Sequence, residues 1–206
     1  MTTADDTDHL LARAAAGDAA ARDDLLRRHR GRLRRMVAVR ADPRLAARVD
    51  PSDVVQDTLA EAHRRLDEYL RDRPLPFYPW LRQLAQNRLI DLHRRHVLAR
   101  RRTVTREEAA GLPDRSALAL AERLFARQSS PSAGLHRRER RDRVRAALAA
   151  LPDADREVLV LRVLEEMPTR DIAAVLGITE SSVRSRQVRA LGRLRKLLGP
   201  DFLEDE

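Results

Sequence analysis

Apolar residues recur along the chain at intervals of three and four, the spacing of one face of an α-helix, and no stretch sustains the strict apolar/polar alternation of a half-buried strand. Leu10, Leu11 and Ala14 begin a short helix that ends near Gly17. Asp18 is placed to cap a second one carrying Leu25, Leu26, Leu33, Met36 and Val37. Asp50-Pro51-Ser52-Asp53 marks a third start, with a cap residue, Pro in the first helical position and a carboxylate near the positive helix end. That helix is expected to run to about Leu70, with Val55, Leu59, Ala62 and Leu66 as its buried stripe. Pro74, Pro76 and Pro79 then mark a loop, and a fourth helix is expected from Trp80 to His96. A turn-rich, apolar-poor stretch follows, with Gly111, Pro113 and Ser129-Ser130-Pro131-Ser132-Ala133-Gly134. Beyond it the spacing predicts helices over 136–150, 153–164, 169–176 and 179–198, broken at Pro152, Pro168 and Gly177. The expected fold is all-α. It has a helical domain over 1–98, a flexible linker over 99–134 with room for a short helix around Ser116 to Arg127, and a second helical domain over 135–206.

Composition sharpens this picture. Hydrophobic residues make up 43% of the chain but aromatic ones 3%, so the cores must be built from Leu, Ala and Val. The net charge is +9, carried by arginine with Lys196 as the one lysine, which points to a polyanionic partner. With no cysteine, disulfides and thiolate metal sites are excluded. The start of the chain is polar and acidic, and no apolar run approaches the ~20 residues of a membrane span. A soluble, cytoplasmic protein is expected, without membrane association. His93 and His96 lie inside an arginine run and read as part of a basic face rather than as metal ligands. No nucleophile, phosphate loop or metal set is evident, so neither an enzyme nor a cofactor is expected.

The segment Thr169–Val183 has the spacing of a helix-turn-helix. Ala173 is small where two helices cross, Gly177 suits a left-handed turn, and Thr179 can cap the second helix. Ile172, Leu176, Ile178 and Val183 fill the angle between them. On the second helix Val183, Gln187, Ala190, Leu194 and Leu198 share one face. Ser181, Arg184, Ser185 and Val188 lie opposite with Arg189 alongside, the polar and cationic face that major-groove reading requires. Arg186, Arg193, Arg195 and Lys196 flank it as candidate phosphate contacts.

In the N-terminal domain, Asp53, Gln56, Asp57 and Arg64 project away from the apolar stripe of their helix. Four of the chain's six aromatic residues, Tyr69, Phe77, Tyr78 and Trp80, fall close together and are interleaved with Arg71, Arg73 and Arg82. Rings beside cations suit single-stranded DNA. Phe77 and Trp80 read as core, with Tyr69 and Tyr78 left as candidate stacking residues. His93-Arg94-Arg95-His96 and Arg100-Arg101-Arg102 form a dense positive run suited to phosphates.

Taken in order, Asp53-Val54-Val55-Gln56-Asp57, Phe77-Tyr78-Pro79-Trp80-Leu81-Arg82-Gln83-Leu84-Ala85-Gln86-Asn87 and Asp91-Leu92-His93-Arg94-Arg95 resemble region two of extracytoplasmic-function sigma factors. Leu151-Pro152, Glu157-Val158-Leu159, Asp171-Ile172-Ala173, Leu176-Gly177-Ile178 and Val183-Arg184-Ser185-Arg186 resemble region four. The resemblance implies a subunit that brings core RNA polymerase to promoter DNA and helps open it, with an anti-sigma factor as a further partner. It implies that Asp53, Gln56 and Asp57 dock on polymerase. Tyr69, Tyr78 and Asn87 would hold a flipped base of the minus-ten element, and Arg94 and Arg95 would meet the upstream duplex. Ser181, Arg184, Ser185, Val188 and Arg189 would face the minus-thirty-five element.

Four features depart from the family pattern: the long segment 41–50, the Pro-rich loop 70–79, Gln187 at an apolar position, and Pro168 where Ser or Thr usually caps. Together with the lack of the central regions of primary sigma factors, the pattern resembles sigma factors of planctomycete-like bacteria. The alternative reading is a helix-turn-helix regulator that binds an operator without being a polymerase subunit.

Overall fold

Capping chemistry sets where the N-terminal helices begin. In the computed structural model, which describes residues 3–41, 50–96, 116, 119–120, 123–124 and 134–199, α1 covers Thr3–Ala15 and α2 covers Ala19–Arg40. Between them Gly17 takes φ +89°, and the Asp18 carboxylate accepts the Ala21 N–H at 3.0 Å. Helix α3, Pro51–Arg64, starts the same way: Pro51 lies in the first turn and Asp50 accepts the Ser52 N–H at 2.7 Å. These bonds, first among their causes, hold both cap carboxyls below the usual carboxylate range.

The expected single helix to Leu70 is two. Arg65, at φ −97° and ψ 6°, interrupts it before α4, Leu66–Asp72, which Arg73 closes in the left-handed conformation at φ 39°. Ala62 and Leu66, on either side of the turn, are both fully buried. The buried stripe of α3 is Val54, Val55, Thr58 and Ala62, with Leu59 only half-buried. Thr58 belongs there because its hydroxyl donates to the Val54 carbonyl at 2.7 Å. Helix α5, Phe77–His96, begins three residues earlier than expected. Pro79 falls in its first turn, where a missing N–H costs nothing, and the Trp80 N–H reaches the Pro76 carbonyl at 3.1 Å.

Helix α2 is the centre of this unit and packs on α1, α3 and α5. Leu25, Leu33, Met36 and Val37 are fully buried along it. The aromatic rings form one cluster on its flank. Tyr69 stacks on Trp80 with centroids 4.5 Å apart, and Phe77 lies 5.3 Å from Tyr69 and 5.7 Å from Trp80. His29 of α2 lies 5.3 Å from Phe77 and 5.8 Å from Tyr78. The Arg32 guanidinium sits 3.6 Å above the Tyr78 ring.

The chain divides into two compact units at Gly111/Leu112, inside the expected linker. Described residues of that stretch belong to the second unit. Leu120 is fully buried, and Arg123 donates to the Val163 carbonyl at 2.7 Å and to Glu166 at 3.0 Å. Helices α6, Gly134–Ala149, α7, Asp153–Leu159, α8, Thr169–Leu176, and α9, Glu180–Leu198, follow close to expectation. Helix α7 runs into a π-helical turn, Val160–Leu164, so the expected single helix over 153–164 changes pitch midway. Val158, Leu159, Val160, Leu161 and Leu164 are all buried. The chain then reverses through Glu166, at φ +54°.

Helix α9 is tied to α6 and α7 by polar bonds as well as apolar packing. Arg143 donates to the Leu198 carbonyl at 2.9 Å, and Arg193 donates to Asp155 at 2.6 Å. The Asp155 side chain is 7% exposed and that of Arg193 47%. The two partners are therefore not equivalent. Removing Asp155 leaves a guanidinium that water can solvate, whereas removing Arg193 strands a buried carboxylate. In denaturant titrations of the full chain, Arg193→Ala is expected to cost about 2–4 kcal/mol and Asp155→Ala about 1 kcal/mol less.

A pH dependence follows from His29. It is 5% exposed, and among the described residues neither ring nitrogen has a hydrogen-bond partner. Burial first, then the Arg32 and Arg28 cations, push its imidazole from 6.5 down to about 4. The unfolded chain takes up this proton first, so the contribution is complete above pH 6.5 and disappears as pH falls towards 4. The loss approaches about 3 kcal/mol. His29→Leu is expected to reduce the stability difference between pH 7 and pH 4.5 by a comparable amount, read by urea titration.

Candidate nucleic-acid interface

Of the residues singled out for the N-terminal domain, Asp53, Gln56 and Asp57 are all exposed on α3, on the side away from Val54 and Thr58. Asp57 is engaged from within: Arg88 of α5 donates to it. On α5, Asn87, Arg94 and Arg95 are exposed. At about 100° per residue, Gln83, Asn87, Asp91 and Arg94 share one outward strip, with Arg95 beside it.

The tyrosines stand elsewhere. Tyr69 and Tyr78 are each only 3% exposed, so both rings belong to the core, and neither offers a face on which a base could stack. The reason is compositional: with so few aromatic residues, this small domain uses all four to close its α2–α4–α5 junction. The Tyr69 hydroxyl donates to the Leu75 carbonyl at 3.0 Å, so this ring shapes the loop from beneath. Burial pushes its phenol up to about 12, far from any physiological titration. Arg82 is likewise buried, donating to Gln86 at 2.9 Å, and His93 is buried rather than part of a basic face. The cations left on the surface around the loop are Arg71 and Arg73. Arg100, Arg101 and Arg102, and the side chain of His96, lie outside the described residues, as does the segment 42–49.

The C-terminal helix-turn-helix forms where its spacing predicts. Helix α8 starts at Pro168 without a side-chain cap and ends at Gly177, which adopts φ 63° and ψ 34°. The Ile178 N–H returns to the Ala173 carbonyl at 3.1 Å. Thr179 caps α9, accepting the Ser182 N–H at 3.2 Å. Ile172 and Val183 are fully inside, while Leu176 and Ile178 are half-buried. Val183, Ala190, Leu194 and Leu198 hold α9 against its unit, and Gln187 is half-buried at the edge of that face. Ser181, Arg184, Ser185, Val188 and Arg189 are all exposed, with Val188 at 71%. Glu180 lies 3.5 Å from Arg184 and steadies its guanidinium over the first turn.

Helix α2 carries a cationic surface that helical phase and motif spacing did not single out. Arg27, Arg28, Arg30, Arg32, Arg34 and Arg35 fall within nine positions around Gly31, a denser run than any on α5. The signal in the sequence is the glycine in mid-helix. Among the described residues no helix is long and apolar enough to cross a membrane, and no group of three His, Asp or Glu could hold a metal ion.

The comparisons with known proteins match this arrangement. Residues 23–99 match the family model Sigma-70 region 2, and residues 141–194 match Sigma-70, region 4. The chain is 33% identical over 199 residues to RNA polymerase sigma factor CnrH of Cupriavidus metallidurans, covering 96% of this chain and 97% of that protein. It is 31% identical over 192 residues to ECF RNA polymerase sigma factor SigM of Mycobacterium tuberculosis, covering 92% and 83%. A solved structure of CnrH in complex with the cytosolic domain of CnrY superposes with a TM-score of 0.50 at 28% identity, over 92% of this chain and 94% of that one. Both helical units and their order thus agree with one family, and the chain belongs to the extracytoplasmic-function sigma factors of RNA polymerase.

Proposed function

We propose that this sigma factor divides its work among three surfaces, each made of exposed side chains on a packed helix. The polar face of α3, with Asp53, Gln56 and Asp57, docks on core RNA polymerase. The outward strip of α5, with Asn87, Arg94 and Arg95, takes the opened minus-ten strand together with the loop between α4 and α5. Tyr69 supports that loop from below, and Tyr78 anchors the start of α5. The outward face of α9, with Ser181, Arg184, Ser185, Val188 and Arg189, reads the minus-thirty-five duplex in the major groove. The observation that carries this reading is the separation of faces on α9: every apolar residue but Val188 and Leu197 turns inward or to the edge, while the cationic side stays open.

Three finer assignments rest on this reading. The chain acts in the cytoplasm, where polymerase is. A protein of the kind represented by CnrY, seen bound to CnrH, serves as its anti-sigma partner. The long segment 41–50 and the Pro-rich loop support a reading of it as one of a planctomycete-like subgroup.

Gln56 is the cleanest probe of the docking face, because Asp57 already has an internal partner. Gln56→Arg is expected to lower affinity for core polymerase at least tenfold, about 1.4 kcal/mol, with an unchanged helical circular dichroism spectrum. Unchanged affinity removes that face from the proposal. On α9, Arg184→Ala is expected to cost about 1–3 kcal/mol at the cognate minus-thirty-five element and to relax preference at one base position. Run-off transcription from a randomised promoter set, with core polymerase present, measures both.

A further inference from the structure

Gly31 lies in the middle of the 22-residue helix α2, where glycine costs about 1 kcal/mol relative to alanine. No contact among the described residues requires it. Its φ is not in the left-handed region, and a Cβ built there meets no atom within 4 Å. It is exposed, so the bare backbone faces outward. Its four neighbours on the helix surface, three and four residues to either side, are Arg27, Arg28, Arg34 and Arg35. Arg27 pairs with Asp24 at 3.1 Å and Arg28 with Asp6 at 2.7 Å. On the other side Asp50 lies near enough to Arg34 to feel its charge, while the run from Arg27 to Arg35 holds no carboxylate of its own. A shallow notch floored by backbone, with arginines three and four positions to either side, suits an anionic chain that must come close, and the planar arginine fork matches phosphate oxygens.

The same arrangement recurs on α9. Gly192 is exposed in mid-helix, a Cβ there also meets nothing within 4 Å, and its surface neighbours are Val188, Arg189, Arg195 and Lys196. That notch continues the face assigned above to duplex DNA.

We infer that the Gly31 notch on α2 is a further binding site for the phosphate backbone of promoter DNA, separate from the α5 and α9 surfaces. This rests on the sigma-factor reading. The site selects no base. It adds sequence-independent affinity that salt weakens.

The test uses holoenzyme assembled from the full chain and core polymerase, with promoter affinity measured across a salt series. Gly31→Gln places a neutral, helix-favouring side chain in the notch. It is expected to keep or raise the melting temperature, leave core affinity unchanged and weaken the promoter complex several-fold. Arg27→Gln with Arg34→Gln is expected to reduce the slope of log affinity against log salt by about 1 for each phosphate that no longer meets an arginine. If both variants bind promoter like wild type, or if core affinity falls instead, the inference is overturned; the second outcome would give the notch to a polymerase subunit. A wild-type holoenzyme that selects no promoter would count against the sigma-factor reading itself.

Discussion

The N-terminal unit depends on one set of interactions, the packing of His29, Tyr69, Phe77, Tyr78 and Trp80 where α2, α4 and α5 meet. Aliphatic side chains elsewhere fill space but carry little directional preference. Aromatic rings at 4.5–5.8 Å hold orientation as well as distance. The loop that joins α4 to α5 is bound to this cluster through the Tyr69 hydroxyl, so its path is set from the core. The exposed strip of α5 takes its direction from the same place, because Phe77, Tyr78 and Trp80 are in the helix's first turn. A neutral histidine among them is the one element of this core that acid can charge.

Much of the fold could be read in advance where local chemistry and periodicity agreed. Asp18 and Asp50 cap as their positions indicate, and Gly177 and Thr179 form the turn that their spacing requires. The break at Arg65 was not readable, because no Gly or Pro marks it and an α-helical pattern continues through it. Nor was the π turn at Val160–Leu164. An apolar run of this kind is compatible with either pitch, and packing decides between them. The contacts of Leu120 and Arg123 within the second unit lie in a stretch read as linker with room for one short helix, because its Gly, Pro and Ser residues outweigh a brief apolar signal.

The candidate sites divide along the same line. Residues placed by helical phase, such as Gln56 and Arg184, stand on the surface as that phase requires. Residues placed by chemical type alone, above all Tyr69 and Tyr78, do not. A ring is equally suited to stack on a base or to fill a core, and in a chain so poor in aromatic side chains the core takes precedence. Arg82 and His93 show the same point for polar groups: sequence proximity to a basic run says little about which way one side chain turns.

The ion pair between Asp57 and Arg88 has a consequence for any partner that approaches α3. An outside cation seeking this carboxylate meets an internal competitor and must displace it. With side chains 52% and 37% exposed, the pair is hydrated, so the penalty is at most about 1 kcal/mol, a factor of about five in affinity. Displacement also releases a guanidinium on the neighbouring helix. Occupancy at one face thereby changes the charge presented by the other, without any movement of the backbone.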